Sequence, residues 1–315
     1  MRKILLASTA LAGIALFSSP ALAGMEVTVG GYNDFRAGFF DNRLTPGTKR
    51  HEDFQDEFQL EIEAKAKASN GMEYGVVASL WNGPNYATSP GVGAADQTFV
   101  RQENGIQVHQ AYGYVNGAWG QIRLGDEHGA SDFGITPPQT YDFGAQVNGA
   151  YTEFVDAATV FSLRPAYVDD VENNTKVSYF TPKFGVQGHK FQLGASYMPN
   201  WYDQGDNVIL SQPTGVAQDP NGTDNYKNVF EIGGGYEGTW FDKFSTKAGF
   251  VVTTGQGLKT ATFTNSGAIR DFTTWNVGGQ VGYAGFTVGG NYVDGGHYNA
   301  GAGQNRDQQV CSVGG

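Results

Sequence analysis

The sequence predicts an all-β chain that closes as a transmembrane antiparallel up-and-down β-barrel. Three observations predict it: apolar and polar residues trade places at every position, connections alternate between short and long, and aromatic residues gather at segment ends. The clearest segment runs from Asp53 to Ala68. Phe54, Phe58, Leu60, Ile62, Ala64, Ala66 and Ala68 share one parity, and Gln55, Glu57, Gln59, Glu61, Glu63, Lys65 and Lys67 share the other. Successive side chains of a strand point to opposite faces, so this strand has one greasy and one charged face. A charge at every second position would ring a helix on all sides, which excludes a helix. Ser69-Asn70-Gly71 follows, and Asn-Gly suits the positive φ angles of a tight hairpin turn. Met72, Tyr74, Val76, Ala78 and Leu80 repeat the alternation on the way back.

The remaining strands follow by the same test. Before the hairpin, Val27, Val29, Phe35, Ala37 and Phe39 oppose Thr28, Tyr32, Asp34 and Arg36. After it, Ile106 to Val115 and Trp119 to Gly125 are joined by Asn116-Gly117-Ala118; the first is less regular, because Gln110 sits among Ile106, Val108, Tyr112 and Tyr114. From Asp126 to Thr175 no period is visible, and structureless stretches beyond roughly 15 residues are uncommon unless functional or disordered. Alternation resumes at Val177 and Tyr179, passes Pro182-Lys183-Phe184-Gly185, and returns through Phe191, Leu193, Ala195 and Tyr197. A polar loop from Pro199 to Tyr226 leads to Phe230, Ile232, Gly234 and Tyr236, then to Phe244, Thr246, Ala248, Phe250 and Val252. Trp275 to Tyr283 and Phe286 to Tyr292 complete eleven strands, and Val310 to Gly315 reads as a twelfth beginning.

The aromatic ends are Phe39, Trp81, Trp119, Tyr197, Trp240, Tyr283 and Phe286. Strands of about ten residues, short turns at one rim, long loops at the other and aromatic girdles describe a barrel in lipid, where only a closed sheet satisfies its own backbone. A soluble sandwich also alternates, but without such polar faces or the long/short rhythm of loops.

Composition narrows the function. Arg2-Lys3, the apolar stretch Ile4 to Phe17 and Ala21-Leu22-Ala23 form an export signal, so residues 1–23 are expected to be removed and 24–315 to form the barrel. Without Arg2 and Lys3 the chain keeps 18 basic against 31 acidic side chains, a net charge of −13, which excludes the basic footprint of a nucleic-acid binder. One cysteine, Cys311, permits neither a disulfide framework nor a thiolate metal site.

The export signal followed by Val29-Gly30-Gly31-Tyr32, the run Trp119-Gly120-Gln121-Ile122-Arg123-Leu124-Gly125-Asp126 entering a long loop, and Val177-Ser178-Tyr179-Phe180-Thr181-Pro182 followed by Phe191-Gln192-Leu193-Gly194-Ala195-Ser196-Tyr197 resemble a Gram-negative general porin. The resemblance covers residues 24–315. It implies an outer-membrane barrel of sixteen strands, usually a homotrimer, whose third long loop (here 126–175) folds inward and narrows a channel for small hydrophilic solutes and ions. Eleven strands over Glu26 to Val293 set a length per strand at which sixteen would need on the order of 390 residues, so the sequence is expected to be an incomplete barrel. The alternative is a complete smaller barrel acting as a hydrolase, or as a non-conducting structural or adhesive barrel.

A channel sorts solutes by width and charge rather than by chemistry, so no catalytic residue is expected. Parity places Arg36, Lys65, Lys67, Arg123, Lys176 and Lys247 on the lumen face, with Asp34, Glu57, Glu61, Glu63, Glu73 and Glu231. The expected constriction sets the carboxylates of Asp126, Glu127, Asp132, Asp142, Glu153 and Asp156 against a wall of Arg36, Lys65, Lys67 and Arg123, with a mild preference for cations. Asp219, Asn221 and Asp224 are the weak candidates for Ca²⁺, the one cofactor considered, although a solvated turn explains them as well. A hydrolase would need a trio such as a Ser with His128 and Asp126. Gly233-Gly234-Gly235-Tyr236-Glu237-Gly238 fits G-x-G-x-x-G but lies within a strand and opens no helix, so no dinucleotide site is expected.

Overall fold

In a computed structural model, residues 24–39, 52–81, 86–88, 99–101, 107–135, 174–200, 226–257, 269–298, 300 and 309–315 are described. The strands are β1 (Glu26–Phe39), β2 (Glu52–Lys67), β3 (Glu73–Trp81), β4 (Tyr86–Thr88), β5 (Phe99–Arg101), β6 (Gln107–Gly117), β7 (Gly120–Asp126), β8 (Thr175–Phe180), β9 (Phe184–Val186), β10 (His189–Asn200), β11 (Tyr226–Trp240), β12 (Phe244–Gly257), β13 (Phe272–Tyr283), β14 (Phe286–Asp294) and β15 (Gln309–Gly314). All but β4 and β5 join one antiparallel sheet in the order β1-β2-β3-β6-β7-β8-β10-β11-β12-β13-β14-β15, with β9 on β10. The eleven expected strands are thus present. The twelfth, read as beginning at Val310, is β15, paired with β14 over six residues; the structure adds the short β9 and the β4–β5 pair inside a long loop. The export signal lies outside the described residues.

Two rows of paired residues, one position apart, show how the faces separate. Ile122, Tyr179, Ala195, Ile232, Val252 and Trp275 lie side by side across β7, β8, β10, β11, β12 and β13. The next row across the same strands is Arg123, Ser178, Ser196, Glu231, Thr253 and Thr274. Ile232 is 59% exposed while its neighbour Glu231 is fully covered. The apolar face therefore looks out of the molecule and the polar face looks in, the reverse of a soluble protein and the arrangement a lipid-embedded barrel requires.

The inner face is concave. A segment leaving β7 sets the His128 ring 6.1 Å from that of His109 on β6, and lays Ile135 over Gly278 of β13. Gly129–Phe133 within it is wound in a 3-10 turn, and the segment crosses the inner face from beside β6 to β13.

Turns and girdles define the two rims. The hairpin at Asn70 is a three-residue loop: Gly71 N–H donates to Ala68 O (2.9 Å), Ala68 N–H donates to Met72 O (2.7 Å), and only Gly71 has positive φ. This is a type I turn closed by a left-handed glycine rather than the two-residue turn that Asn-Gly often makes. Ala284-Gly285 is the two-residue kind, with both φ positive. Along this short-turn rim, stacked, tilted or edge-on rings link Trp119 to Tyr179, Phe184 to Phe191, Phe191 to Tyr236, His189 to Trp240 and Phe244 to Tyr283. Toward the loop rim, Tyr197 meets Phe230, and Trp275 meets Tyr292. The eight steps from Trp275 to Tyr283 cover about 26 Å along the strand, or about 20 Å along the axis of a barrel with the usual tilt.

Two bulges depart from the sequence pattern. Ser79 pairs with Gln110 but Leu80 pairs with Val108, so His109 is an extra residue in β6. The side-chain parity changes there: Val108 is exposed outside, whereas Gln110, Tyr112 and Tyr114 turn inward, which explains the irregular pattern of that strand. A second bulge between Lys227 and Phe230, where Asn228 takes φ 49°, turns Tyr226 inward. Tyr226 then packs with Met198, Val229, Ile269 and Phe272 in a small dry core on the inner face near the loop rim. Trp81 is also inward, opposite Gln59 and 5.1 Å from the His109 ring, and is not part of the girdle expected from its place at a strand end.

Ile232 sits midway along β11 on the outer face. Ile232→Arg is expected to destabilise the folded protein in bilayers by about 2–4 kcal/mol, as read from the urea midpoint. Gln280→Arg on the inner face should shift that midpoint far less, and equal shifts would contradict the assignment of the faces.

Candidate functional site

Among the described residues, the inner face carries a buried polar centre where the chain leaves β7. Arg123 lies at the middle of that strand on the inward parity, and Asp126 ends the strand. Gly129, with φ +70°, lets the chain turn onto the sheet; a Cβ there would stand 2.6 Å from Ser196 Oγ and 2.7 Å from Glu231 Oε2. Arg123 Nη1 donates to Glu127 Oε2 at 3.2 Å and to Asp132 Oδ2 at 3.4 Å, and its Nε donates to Gln121 Oε1 at 2.7 Å. The guanidinium lies 4.4 Å from the Phe180 ring centre and 5.5 Å from that of Tyr112. Planar, always charged and weakly hydrated, a guanidinium suits that position between rings and carboxylates.

The turn is tied down from beneath. Gly129 N–H donates to Glu127 Oε2 (3.0 Å), and Ala130 N–H donates to Ser196 Oγ (2.7 Å), which accepts from Ser178 Oγ (2.9 Å). Lys176 Nζ donates to the carbonyl of His128 at 3.1 Å and stands 3.8 Å from Glu231 Oε2, with both side chains fully buried. Ser131 Oγ donates to the carbonyl of His128, and the His128 ring Nδ1 lies 3.0 Å from Asp132 Oδ1. Burial alone would raise the Asp132 pKa, but the hydrogen bond and charge of His128, with Arg123, outweigh it and hold the carboxyl below its ordinary range. A carboxyl depressed in this way stabilises the fold above its unfolded pKa, and that contribution is lost only as the pH falls through the lower folded value.

The sequence-predicted residues are distributed as follows. Arg123, Glu127 and Asp132 come together in direct contact, without an aqueous gap between wall and loop. Lys65 joins Glu26 at 3.8 Å and Glu63 at 3.7 Å on the wall itself. Lys67 is opposite Glu73, and the backbone of Arg36 is opposite that of Gln55. Asp126 shares the outward parity of Ala111 and Thr175, and its Oδ1 accepts from Thr175 Oγ1 at 2.5 Å, so it braces the outer rim and not the channel wall. Lys176 and Glu231 point inward as parity predicts, but the turn covers them. Asp142, Glu153 and Asp156, and the Ca²⁺ candidates Asp219, Asn221 and Asp224, lie outside the described residues. Among the described residues no group of three His, Cys, Asp or Glu side chains is placed to hold a metal ion. The hydrolase trio does not assemble, because His128 faces Asp132 and not Asp126. Ser178 and Ser196 enter the sequence reading only within the runs that carry the resemblance, and Gly129 does not enter it; the inward parity of the two serines is the signal that points to them.

Arg123→Ala leaves the buried Glu127 carboxylate without its cation, an expected loss of about 3 kcal/mol. The measurable outcome is faster proteolytic cleavage near 127–135 with the strand content unchanged in circular dichroism. For the parent, protection of the same segment should persist through weakly acidic pH and fall only below the ordinary aspartate pKa of about 3.9.

A profile of the Gram-negative porin family matches residues 7–315. Among solved structures, a triple mutant of Rhodopseudomonas blastica porin is 12% identical, covering 91% of this chain and 94% of that chain with a TM-score of 0.35. Salmonella typhi OmpF in complex with daunomycin is 14% identical, covering 90% of this chain and 82% of that chain with a TM-score of 0.42. No curated protein matches the chain. The profile spans nearly the whole sequence, and the sheet beneath it has an apolar outside and a charged inside: the chain belongs to the Gram-negative porin family, the channel-forming β-barrels of the outer membrane.

Proposed function

We propose that this porin admits small hydrophilic solutes and ions by passive diffusion, with a modest preference for cations, through a lumen narrowed by the loop that begins at Glu127. The observation that carries this is the inward turn at Gly129–Phe133, lying on a charged concave wall. Charge supports the preference. Lys65, Arg123, Lys176 and Lys183 each stand within 4 Å of a carboxylate, while Glu61 is exposed on the inner face. Basic groups held against carboxylates attract anions weakly, and the acidic excess of the chain remains to draw cations. The finer picture includes the lipid of the outer membrane around the apolar band and, as is usual in the family, a homotrimer.

Liposome swelling tests the central reading. The rate should fall steeply with the size of uncharged sugars and show no saturation; a saturable rate, or none, would overturn it. In planar bilayers under a salt gradient, Arg123→Glu and Lys65→Glu should each move the reversal potential further toward the cation value. An unchanged potential for Arg123→Glu would remove that residue from the aperture.

A further inference from the structure

We propose that Phe133 is the positioning residue that sets the channel's width, seated in a socket of missing side chains on the inner wall; the proposal rests on the diffusion-channel reading above. The ring lies over three glycines on two neighbouring strands. A Cβ built at Gly235 would stand 2.7 Å from Phe133 Cδ1, one at Gly233 3.0 Å from Cδ2, and one at Gly194 2.8 Å from Cε2. One edge of the ring, the other edge, and the carbon beyond it thus each rest where a side chain would have been. Phe180 forms the side of the socket, its ring centre 5.8 Å from that of Phe133. The Arg123 guanidinium also lies against Phe180, so the ion-pair cluster and the socket share a wall.

The backbone on either side of Phe133 follows the same track. A Cβ at Gly233 would stand 2.7 Å from Ala130 O, one at Gly249 would overlap the carbonyl of Phe133, and one at Gly278 would stand 2.5 Å from Ile135 O. These glycines lie on the inward parity of β11, β12 and β13, and none of them has a positive φ. Backbone conformation therefore does not call for glycine here. Glycine inside a strand weakens it, so at the inward positions Gly233 and Gly235 close approach by another chain segment is the remaining explanation, whereas Gly234 between them faces outward beside Leu193 and Phe250. Gly233 and Gly235 of the dinucleotide-like pattern in the sequence form part of the floor of this seat. Where the loop leaves the wall is then decided by volume at positions that do not line the channel.

Gly235 offers the sharpest test, because the three heavy atoms nearest to its built Cβ all belong to Phe133. Gly235→Leu should lift the ring toward the channel axis and lower single-channel conductance by roughly a third, with a smaller fall for Gly235→Ala. Strand content should stay the same, since glycine is the poorer strand former. Adding Phe133→Ala to Gly235→Leu should return conductance toward the parental value, because the removed ring makes room for the added side chain. Unchanged conductance in a folded Gly235→Leu or Gly235→Ala protein, or no recovery in the double variant, would overturn the proposal. A parent that does not conduct would overturn the channel reading instead. Should the leucine variant fail to assemble, the alanine variant alone decides the matter through the direction of its conductance change.

Discussion

Hydrocarbon offers no partner to a backbone N–H or C=O, and every other feature of this molecule follows from that constraint. A chain that enters lipid as strands must pair each strand on both sides, and pairing makes neighbouring side chains diverge to opposite faces. Once one face is surrendered to lipid, the other is free to be polar. Ile232 and Glu231, adjacent in sequence, lie on opposite sides of one wall, the first bare to the outside and the second covered by protein. The acidic composition and the low mean hydropathy of −0.35 are therefore compatible with a membrane protein, since alternation along each strand decides the matter and the average does not.

The inner face is then asked to do two things. Much of it faces water, where charges are inexpensive. Around Gly129 it also receives a piece of its own chain, and there the same alternation buries Lys176, Glu127 and Glu231. Ions removed from water are tolerated only in company, and each of these has it: Lys176 holds the His128 carbonyl and stands by Glu231, and Glu127 holds both Arg123 and the Gly129 amide. Such pairs contribute little net stability compared with apolar packing, but they select one docking geometry because any other leaves a charge stranded. The inward turn is thus specified by charge on one flank and by shape on the other.

Faces were legible in the sequence wherever strands are regular, because a period of two is unambiguous over ten residues. Val27 and Val29, the Phe54–Ala68 stripe and the Phe244–Val252 stripe all lie on the outer face. What escaped were places where one residue changes the count. The extra residue at His109 reverses the parity of everything before it in β6, and no local composition announces it. The bulge at Asn228 is similar, although an asparagine with positive φ is among the commoner ways to build one. Trp81 and Asp126 fail differently. Parity alone places Trp81 inside and Asp126 outside, whereas position at a strand end suggests a girdle for the first and proximity to the long loop suggests the channel for the second. Phe133 gave no periodic signal, since its partners lie 47 or more residues away in the sequence.

Cys311 occupies the outward parity of β15, directly across from Tyr292, and its side chain is exposed. It is the sole cysteine among 315 residues. Nature has thereby furnished a solitary thiol on the apolar exterior, so a maleimide fluorophore attached to the unaltered protein marks a single, known spot. Quenching of that dye by brominated acyl chains would gauge how deep this flank sits in a bilayer, with no engineering of the chain at all.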